Sequence, residues 1–91
     1  MLNPDYSTQF RKDYRLCQKR RYKMANIAAV MFAIENEIPL QPKHREHQLQ
    51  GNYKGYTECH IEPDWLLIYK IDQQAKEIYF ARTGTHADLF E

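Results

Sequence analysis

Three histidines in the second half of the chain, His47, His60 and His86, are the residues best suited to chemistry. An imidazole changes its protonation state near neutral pH, so it is the usual carrier of protons in catalysis. A lone histidine at a strand end is more often structural. These three can act together only if the fold brings them to one place.

The neighbours of two of these histidines suit the cleavage of a phosphodiester bond. Asp64 follows His60 in the sequence Glu-Pro-Asp-Trp, and Arg82 precedes His86 in the sequence Arg-Thr-Gly-Thr-His. A carboxylate orients an imidazole and favours its charged form. A guanidinium stabilises the negative charge that develops on a phosphate. Asp64 could also be only a turn residue, and Arg82 only a surface residue of a strand.

Two aromatic residues beside this set, Trp65 and Phe90, offer ring faces on which single-stranded bases can stack. For Trp65 we place packing in the core ahead of stacking, because large aromatic side chains carry much of the energy of a core.

Alternating polar and apolar residues predict three strands in the second half of the chain. The first strand starts at Tyr53, the second covers residues 65–71 and the third covers residues 77–82, with turns at 62–64 and 72–74. The residues expected on one face of the first strand are Lys54, Tyr56, Glu58 and His60. Consecutive strands with tight turns imply an antiparallel meander.

The meander predicts where the site residues meet. Since the third strand runs antiparallel to the second, its end lies beside the start of the second strand. The residues expected at this one edge of the sheet are His60, Asp64, Arg82 and His86. The spacing of His47 does not fix its position, because it lies in an irregular connection over residues 39–52.

Two helices are predicted before the strands. Ser7 is a plausible N-cap for a first helix that runs to about Tyr22, with Phe10, Tyr14 and Cys17 in one apolar stripe. The second helix begins within residues 24–26, is apolar nearly all round and is ended by Pro39. Their short connection predicts an antiparallel helical hairpin.

Together these elements predict an α+β fold in which the two helices cover one face of the antiparallel sheet. A short additional strand over residues 4–6 could pair at the edge of the sheet. Residues 86–90 are predicted to form a short helical tail. The length of 91 residues suits one domain, residues 1–91.

The net charge of +1 hides a strongly basic segment. Residues 11–23 carry a charge of +6, which leaves −5 for the rest of the chain. The basic residues of this segment are Arg11, Lys12, Arg15, Lys19, Arg20, Arg21 and Lys23. Such a segment binds polyanions or is simply a solvated helix face.

Membrane, secretory and disulfide classes are disfavoured. No apolar run approaches the roughly 20 residues of a membrane span, and the first residues lack a secretory pattern. We therefore expect a cytoplasmic protein in which Cys17 and Cys59 are reduced and packed.

A metal site is the weaker alternative for the histidines. His44 and His47 have i, i+3 spacing, and His60 with Asp64 could complete four ligands. No H-E-x-x-H or paired C-x-x-C motif is present, so we expect neither a metal ion nor another cofactor.

Two long stretches resemble the signature of a known family. They are H-Q-L-Q-G-N-Y-K-G-Y-T-E-C-H-I-E-P-D-W-L-L-I-Y-K from His47 to Lys70 and R-T-G-T-H-A-D-L-F from Arg82 to Phe90. Both resemble the YafQ branch of the RelE/ParE-type toxins, and the resemblance extends over nearly the whole chain. It implies an endoribonuclease that cuts messenger RNA on the ribosome. It also implies a cognate antitoxin that holds the toxin inactive in a hetero-oligomer.

Matched residue by residue, the resemblance implies roles in catalysis and substrate binding. The positions that match catalytic residues of the branch are His47, His60, Asp64 and His86. Arg82 matches a phosphate-contacting arginine, and Phe90 matches an aromatic residue that orients the substrate. Lys54 lies close to basic residues of other members.

These residues permit a mechanism without a metal ion, in which a ribose 2′-hydroxyl attacks the adjacent phosphate. His60, assisted by Asp64, is the candidate base, and His86 is the candidate acid. Arg82 stabilises the phosphate charge, and His47 acts as a second base or positions the substrate.

Two other functions remain open. ParE-type toxins of the superfamily poison gyrase with a similar fold, but such a binder has no need of the histidine set. A toxin that has lost its activity and survives as a binding partner would not need these acid–base residues either.

Overall fold

The computed structural model describes residues 1–90, which form a five-stranded sheet and three α-helices. In chain order the elements are β1 (Asn3–Tyr6), α1 (Thr8–Lys19), α2 (Met24–Glu35), β2 (His47–Gln48), β3 (Thr57–Glu62), β4 (Trp65–Asp72), β5 (Glu77–Gly84) and α3 (His86–Phe90). Short 3-10 turns at Pro42–His44 and Gly51–Tyr53 flank β2. The α+β class, the meander of β3, β4 and β5, and the short helical tail are confirmed.

The order of strands across the sheet is β1-β5-β4-β3-β2. The β3–β4, β4–β5 and β2–β3 pairs are antiparallel, but β1 runs parallel to β5. The predicted edge strand is thus present, but the prediction of an antiparallel sheet is wrong for this one pair. A hairpin turn fixes the direction of neighbouring strands, whereas β1 reaches β5 from the far end of the chain and no turn joins them.

Helix α1 begins where the sequence predicts. The Oγ of Ser7 accepts the backbone N–H of Phe10 at 2.8 Å and donates to the carbonyl of Ala81 at 2.7 Å. This N-cap therefore also ties the helix to β5. The helix ends at Lys19, earlier than Tyr22, because Arg21 adopts a left-handed backbone conformation with φ of 60°.

Helix α2 buries one of its sides, although its sequence is apolar nearly all round. Its buried residues are Ile27, Val30, Met31 and Ile34, which is the expected i, i+3, i+4, i+7 stripe. Phe32 on its other side is 62% exposed. The helix ends at Glu35 rather than at Pro39, since Glu37 turns the chain with φ of 57°.

The sheet separates two apolar clusters. Helices α1 and α2 pack on one face, against alternating residues such as Leu67, Tyr69 and Phe80. The placement of both helices on one face is therefore confirmed. The other face carries a smaller cluster that includes Leu66 and Ile68, covered by α3 and by the connection that contains β2.

Strand β3 begins later than predicted, at Thr57 instead of Tyr53. Residues 51–53 form a 3-10 turn, and Gly55 with φ of 93° reverses the chain before the strand. Lys54 therefore does not share a strand face with Glu58 and His60. A strand pattern read from alternation alone passes over such a turn, because Gly55 fits either structure.

Both cysteines, Cys17 and Cys59, are free and buried, as expected. No helix among residues 1–90 has the length and apolar character needed to cross a bilayer.

Candidate active site

The site lies on the face of the sheet opposite helices α1 and α2. Across the sheet, His60 on β3 pairs with Leu66 on β4, which pairs with Gly84 at the end of β5. Helix α3 starts two residues later. The meander thus brings the histidine of β3 and the start of α3 to the same end of the sheet, as the sequence predicts.

The ring of His60 is held by the turn that follows β3. Its Nδ1 lies 3.1 Å from the carbonyl oxygen of Pro63. A carbonyl oxygen only accepts hydrogen bonds, so Nδ1 carries the proton of this bond. The second ring nitrogen, Nε2, then points to Glu58, 3.9 Å from its Oε1.

His47 reaches the same carboxylate from the opposite side. Strand β2, which has only two residues, pairs His47 with Glu58 of β3. The Nδ1 of His47 lies 2.7 Å from the carbonyl of Arg45, and its Nε2 lies 3.2 Å from Oε1 of Glu58. The ring centroids of His47 and His60 are 6.3 Å apart. The connection therefore does fold back and bring His47 to the site.

Glu58, for which the sequence predicts no role, lies between the two imidazoles. Its side chain is 8% exposed. The only sequence sign of its role is its place two residues before His60, which puts both side chains on one face of a strand.

Asp64 holds the third histidine by its backbone. The Oδ1 of Asp64 accepts the backbone N–H of His86 at 3.0 Å. The carboxylate that faces the His60 ring is that of Glu58, 3.9 Å from Nε2, so the expected pairing of Asp64 with this ring is corrected. The turn after β3 thus fixes His60 through Pro63 and His86 through Asp64.

Helix α3 is anchored at both its start and its flank. Thr85 and Asp88 bond reciprocally, each side chain accepting the backbone N–H of the other. The guanidinium of Arg20, on the end of α1, donates two hydrogen bonds to Asp88 at 2.6 and 3.1 Å. These bonds hold the pKa of Asp88 well below its usual range. The short helix that carries His86 is therefore fixed against α1.

An aromatic surface borders His86. Phe90, 39% exposed, lies one helical turn away with its ring centroid 5.0 Å from that of His86. The ring of Tyr53 meets Phe90 edge-on at 5.9 Å and Tyr56 at the same distance. A planar base can contact this surface next to the imidazole.

Arg82 is bound to the first helix. Its Nε lies 2.7 Å from Oδ2 of Asp13, and one terminal nitrogen lies 3.3 Å from Oδ1. The hydrogen bond that Arg82 donates to the Asp13 carboxylate raises the pKa of Arg82. A guanidinium has five N–H donors, so this ion pair leaves donors for another acceptor.

Of the remaining two predicted residues, one is buried and the other is exposed. Trp65 is 3% exposed, donates from Nε1 to Oγ1 of Thr83 at 3.0 Å and meets the ring of Tyr22 edge-on. Packing, rather than stacking on a base, accounts for its surroundings. Lys54 is exposed beyond the 3-10 turn, outside the strand.

The donor set does not fit a metal ion in this arrangement. The Nδ1 of His44 lies 2.7 Å from the backbone carbonyl of His60, which occupies it with a hydrogen bond. Within residues 1–90 no group of three or more histidine, cysteine or acidic side chains lies close enough to hold a metal ion.

Known proteins resemble this chain over nearly its whole length. A family model for YafQ, a bacterial toxin of type II toxin–antitoxin systems, matches residues 2–91. The mRNA interferase toxin YafQ of Escherichia coli (strain K12) is 47% identical over 87 residues, which cover 94% of this chain and 92% of that protein.

Solved structures extend the comparison to three dimensions. A chain in the crystal structure of the E. coli DinJ-YafQ complex superposes with a TM-score of 0.90 at 44% identity, and each chain is covered completely. A metal-bound toxin from Helicobacter pylori gives a TM-score of 0.92 at 36% identity, with 99% of this chain and all of that chain covered. The resemblance found in the sequence is thus confirmed, and this chain belongs to the YafQ family of bacterial toxins from type II toxin–antitoxin systems.

Proposed function

We propose that this toxin is an mRNA interferase that cuts messenger RNA on the ribosome by general acid–base catalysis without a metal ion. One geometric observation carries the proposal. A single turn, Pro63-Asp64, holds the ring of His60 and the backbone of His86, while His47 lies 6.3 Å from His60 between ring centroids. The name of the E. coli relative, an mRNA interferase, supports the substrate class.

The base in this mechanism is Nε2 of His60 or His47. In both residues Nδ1 is bonded to a backbone carbonyl, so Nε2 is the nitrogen that can exchange a proton. The 2′-O–H bond breaks, its proton moves to Nε2, and the 2′-oxygen attacks the adjacent phosphorus. Two imidazoles side by side allow either to serve, which makes a single substitution less damaging than a double one.

The acid is the protonated ring of His86. As the bond between phosphorus and the 5′-oxygen breaks, the imidazolium gives its proton to the leaving oxygen. The products are a 2′,3′-cyclic phosphate and a 5′-hydroxyl. His86 is exposed at the start of α3 and anchored through its own backbone, so its ring is free to face the leaving group.

Substrate is held by charge and by stacking. The donors of Arg82 that do not face Asp13 stabilise the phosphate oxygens. Phe90 supports a base beside His86. We assign no substrate contact to Trp65, whose ring is buried, and only long-range attraction to Lys54.

The basic segment suits a ribosomal site in the cytoplasm. Every basic residue of the segment is exposed, namely Arg11, Lys12, Arg15, Lys19, Arg20, Arg21 and Lys23. Contacts between such residues and RNA phosphates release counterions, so binding weakens steeply with added salt. Replacing four of them by Gln should flatten the salt dependence of ribosome binding, while an unchanged slope would make the segment only a solubilising surface.

A cognate antitoxin is the proposed protein partner, supported by the DinJ-YafQ complex of the relative. A groove of about 540 Å³ lies between α1 and α2, bordered by the exposed Phe32 and by Arg11 and Arg15. An acidic, apolar segment of the antitoxin would fit this groove. Replacing Phe32 by Ser should weaken the complex at least tenfold in titration calorimetry. Unchanged affinity would place the antitoxin elsewhere.

The decisive experiment adds the purified toxin to a translation reaction and maps transcript ends. Wild type should cut the transcript with 5′-hydroxyl ends, and His86→Ala should be slower by about 10²-fold or more. Lys76→Ala, at the exposed turn between β4 and β5, is the control for a surface substitution and should cut at the wild-type rate. Cutting by His86→Ala at the wild-type rate would refute the acid–base assignment.

Two further measurements distinguish the proposed nuclease from a metal-dependent nuclease and from a gyrase inhibitor. Activity that is lost in a chelator and restored by zinc would replace the metal-free mechanism by a metal-dependent one, a test made necessary by the metal-bound H. pylori relative. Intact transcripts together with DNA damage in cells that express the toxin would favour a gyrase inhibitor.

A further inference from the structure

The buried carboxylate of Glu58 has no role in the acid–base steps proposed above for the histidines. Its side chain is 8% exposed, and its Oε2 has no hydrogen-bond partner among residues 1–90. A buried carboxylate without full hydrogen bonding costs stability. Its presence therefore calls for a reason other than stability of the fold.

Counting protons around Oε1 of Glu58 gives that reason. The Nδ1 atoms of His47 and His60 both donate to backbone carbonyls, so both carry protons. In a neutral imidazole the other nitrogen, Nε2, then carries a lone pair and no proton. A lone pair of His47 placed 3.2 Å from an ionised oxygen would be repelled by it. The contact is therefore favourable only when it contains a proton, whether on His47 or on Glu58.

The other strands bring no competing charge to this carboxylate. Opposite Glu58 on β4 stands the apolar Ile68, and opposite Ile68 on β5 stands Arg82, which is paired with Asp13. On the preceding connection, Glu46 accepts a hydrogen bond from Tyr69. Within residues 1–90 the ionic partners of Glu58 are thus His47 and His60.

Building on the proposed function, we infer that Glu58 is a positioning residue that keeps one shared proton between His47 and His60. One imidazole is then charged while the other stays neutral and able to accept the 2′-hydroxyl proton. When His60 accepts that proton, a new positive charge forms 3.9 Å from the carboxylate, which stabilises it. Glu58 itself is buried and does not touch the substrate.

The first test needs only the purified toxin and reads the imidazoles directly. Glu58→Gln keeps the shape of the side chain and removes its charge. In ¹⁵N NMR spectra recorded at one fixed pH near neutrality, the Nε2 signals of His47 and His60 should move toward those of a neutral imidazole, because the charge that favours the imidazolium is lost. Glu77→Gln, an exposed residue at the far end of β5, should leave both sets of signals as in wild type. Equal Nε2 signals in Glu58→Gln and wild type, with an intact fold, would overturn the inference.

The second test separates positioning from a structural role. In ribosome-dependent cleavage, Glu58→Gln should lower kcat by about tenfold or more with little change in KM, and should move the acidic limb of the pH–rate profile to lower pH. Glu58→Asp, which keeps the charge, should recover part of kcat. The Tm of Glu58→Gln should equal or exceed that of wild type, because a partly unsatisfied buried charge is removed. A large fall in Tm with an unchanged pH profile would make Glu58 structural.

The NMR comparison decides the inference independently of the proposed function. If wild type did not cleave transcripts, or if His86→Ala cleaved at the wild-type rate, the proposed function would fail. The NMR comparison would still show whether Glu58 holds the shared proton.

Discussion

The carboxylate of Asp64 accepts the backbone N–H of His86 across 22 residues of sequence, at 3.0 Å. This contact joins the turn after β3 to the first residue of α3. It gives Asp64 a task that depends on hydrogen-bond acceptance and not on transfer of a proton.

The cleavage rates of Asp64 variants should therefore depend on whether the new side chain can accept a hydrogen bond from His86. Asp64→Asn retains a side-chain oxygen that accepts from His86, so it should keep cleavage within about fivefold of wild type. Asp64→Ala leaves the N–H without its partner and should lose about 10–100-fold, as expected when a catalytic group is displaced by about 1 Å. Rates of transcript cleavage measure both variants. A loss in Asp64→Asn as deep as in Asp64→Ala would show that the charge of Asp64 is needed.

The parts of the site that the sequence predicts are those set by local pattern and tight turns. Alternation and the short turn at 62–64 fix the register of β3 and β4, and this places His60 near Asp64. The antiparallel return of β5 then brings His86 to the same end. Each step depends on residues close in sequence, so periodicity suffices.

The parts that the sequence does not predict depend on contacts between distant segments. Strand β2 has two residues, too few for any alternation, yet it brings His47 to Glu58. The partner of Asp64 is a backbone N–H, which every residue other than proline carries, so no side-chain type identifies it. The direction of β1 is likewise set by a contact between distant segments, its pairing with β5.

The ion pair of Arg20 with Asp88 should make stability depend on pH at the acid end. Hydrogen bonds from Arg20 lower the pKa of Asp88 in the folded chain. A carboxyl with a lowered folded-state pKa contributes stability above its unfolded value of about 3.9, and this contribution is lost as pH falls through the folded-state pKa. The Tm difference between wild type and Asp88→Asn should therefore be largest near pH 6 and shrink below about pH 4. A difference that stays constant from pH 6 to pH 2 would contradict this linkage.

The buried thiols should be chemically inert while the chain is folded. Burial raises the pKa of Cys17 to about 11 and that of Cys59 to about 12. At pH 8 fewer than about one in a thousand of either would be the reactive thiolate. Iodoacetamide followed by mass spectrometry should show no modification of the native protein over an hour and two additions in urea. Rapid single alkylation of the native protein would mean that one thiol is accessible.

Glycine at position 84 should be required for stability and for the position of α3, because a side chain there would clash with Asp88 at the start of that helix. A Cβ added at Gly84 would lie 2.9 Å from Oδ2 of Asp88 and 3.1 Å from its Cβ. Asp88 is held by Thr85 and Arg20 and cannot withdraw without breaking those bonds. Gly84→Ala should therefore cost about 1–3 kcal/mol of stability and slow cleavage by displacing His86.

Gly51→Ala is the matched comparison for this prediction. A Cβ at Gly51 would meet no atom within 4 Å, so Gly51→Ala introduces no clash. Its loss of stability comes only from placing alanine in a left-handed backbone conformation with φ of 66°, which costs about 1–2 kcal/mol. Both variants should lose stability in urea titrations, but only Gly84→Ala should also shift the NMR signals of His86 and Phe90. Signals of α3 that stay in place in Gly84→Ala would show that the helix accommodates the added methyl, and the rigid link from β5 to the proposed acid would then be absent.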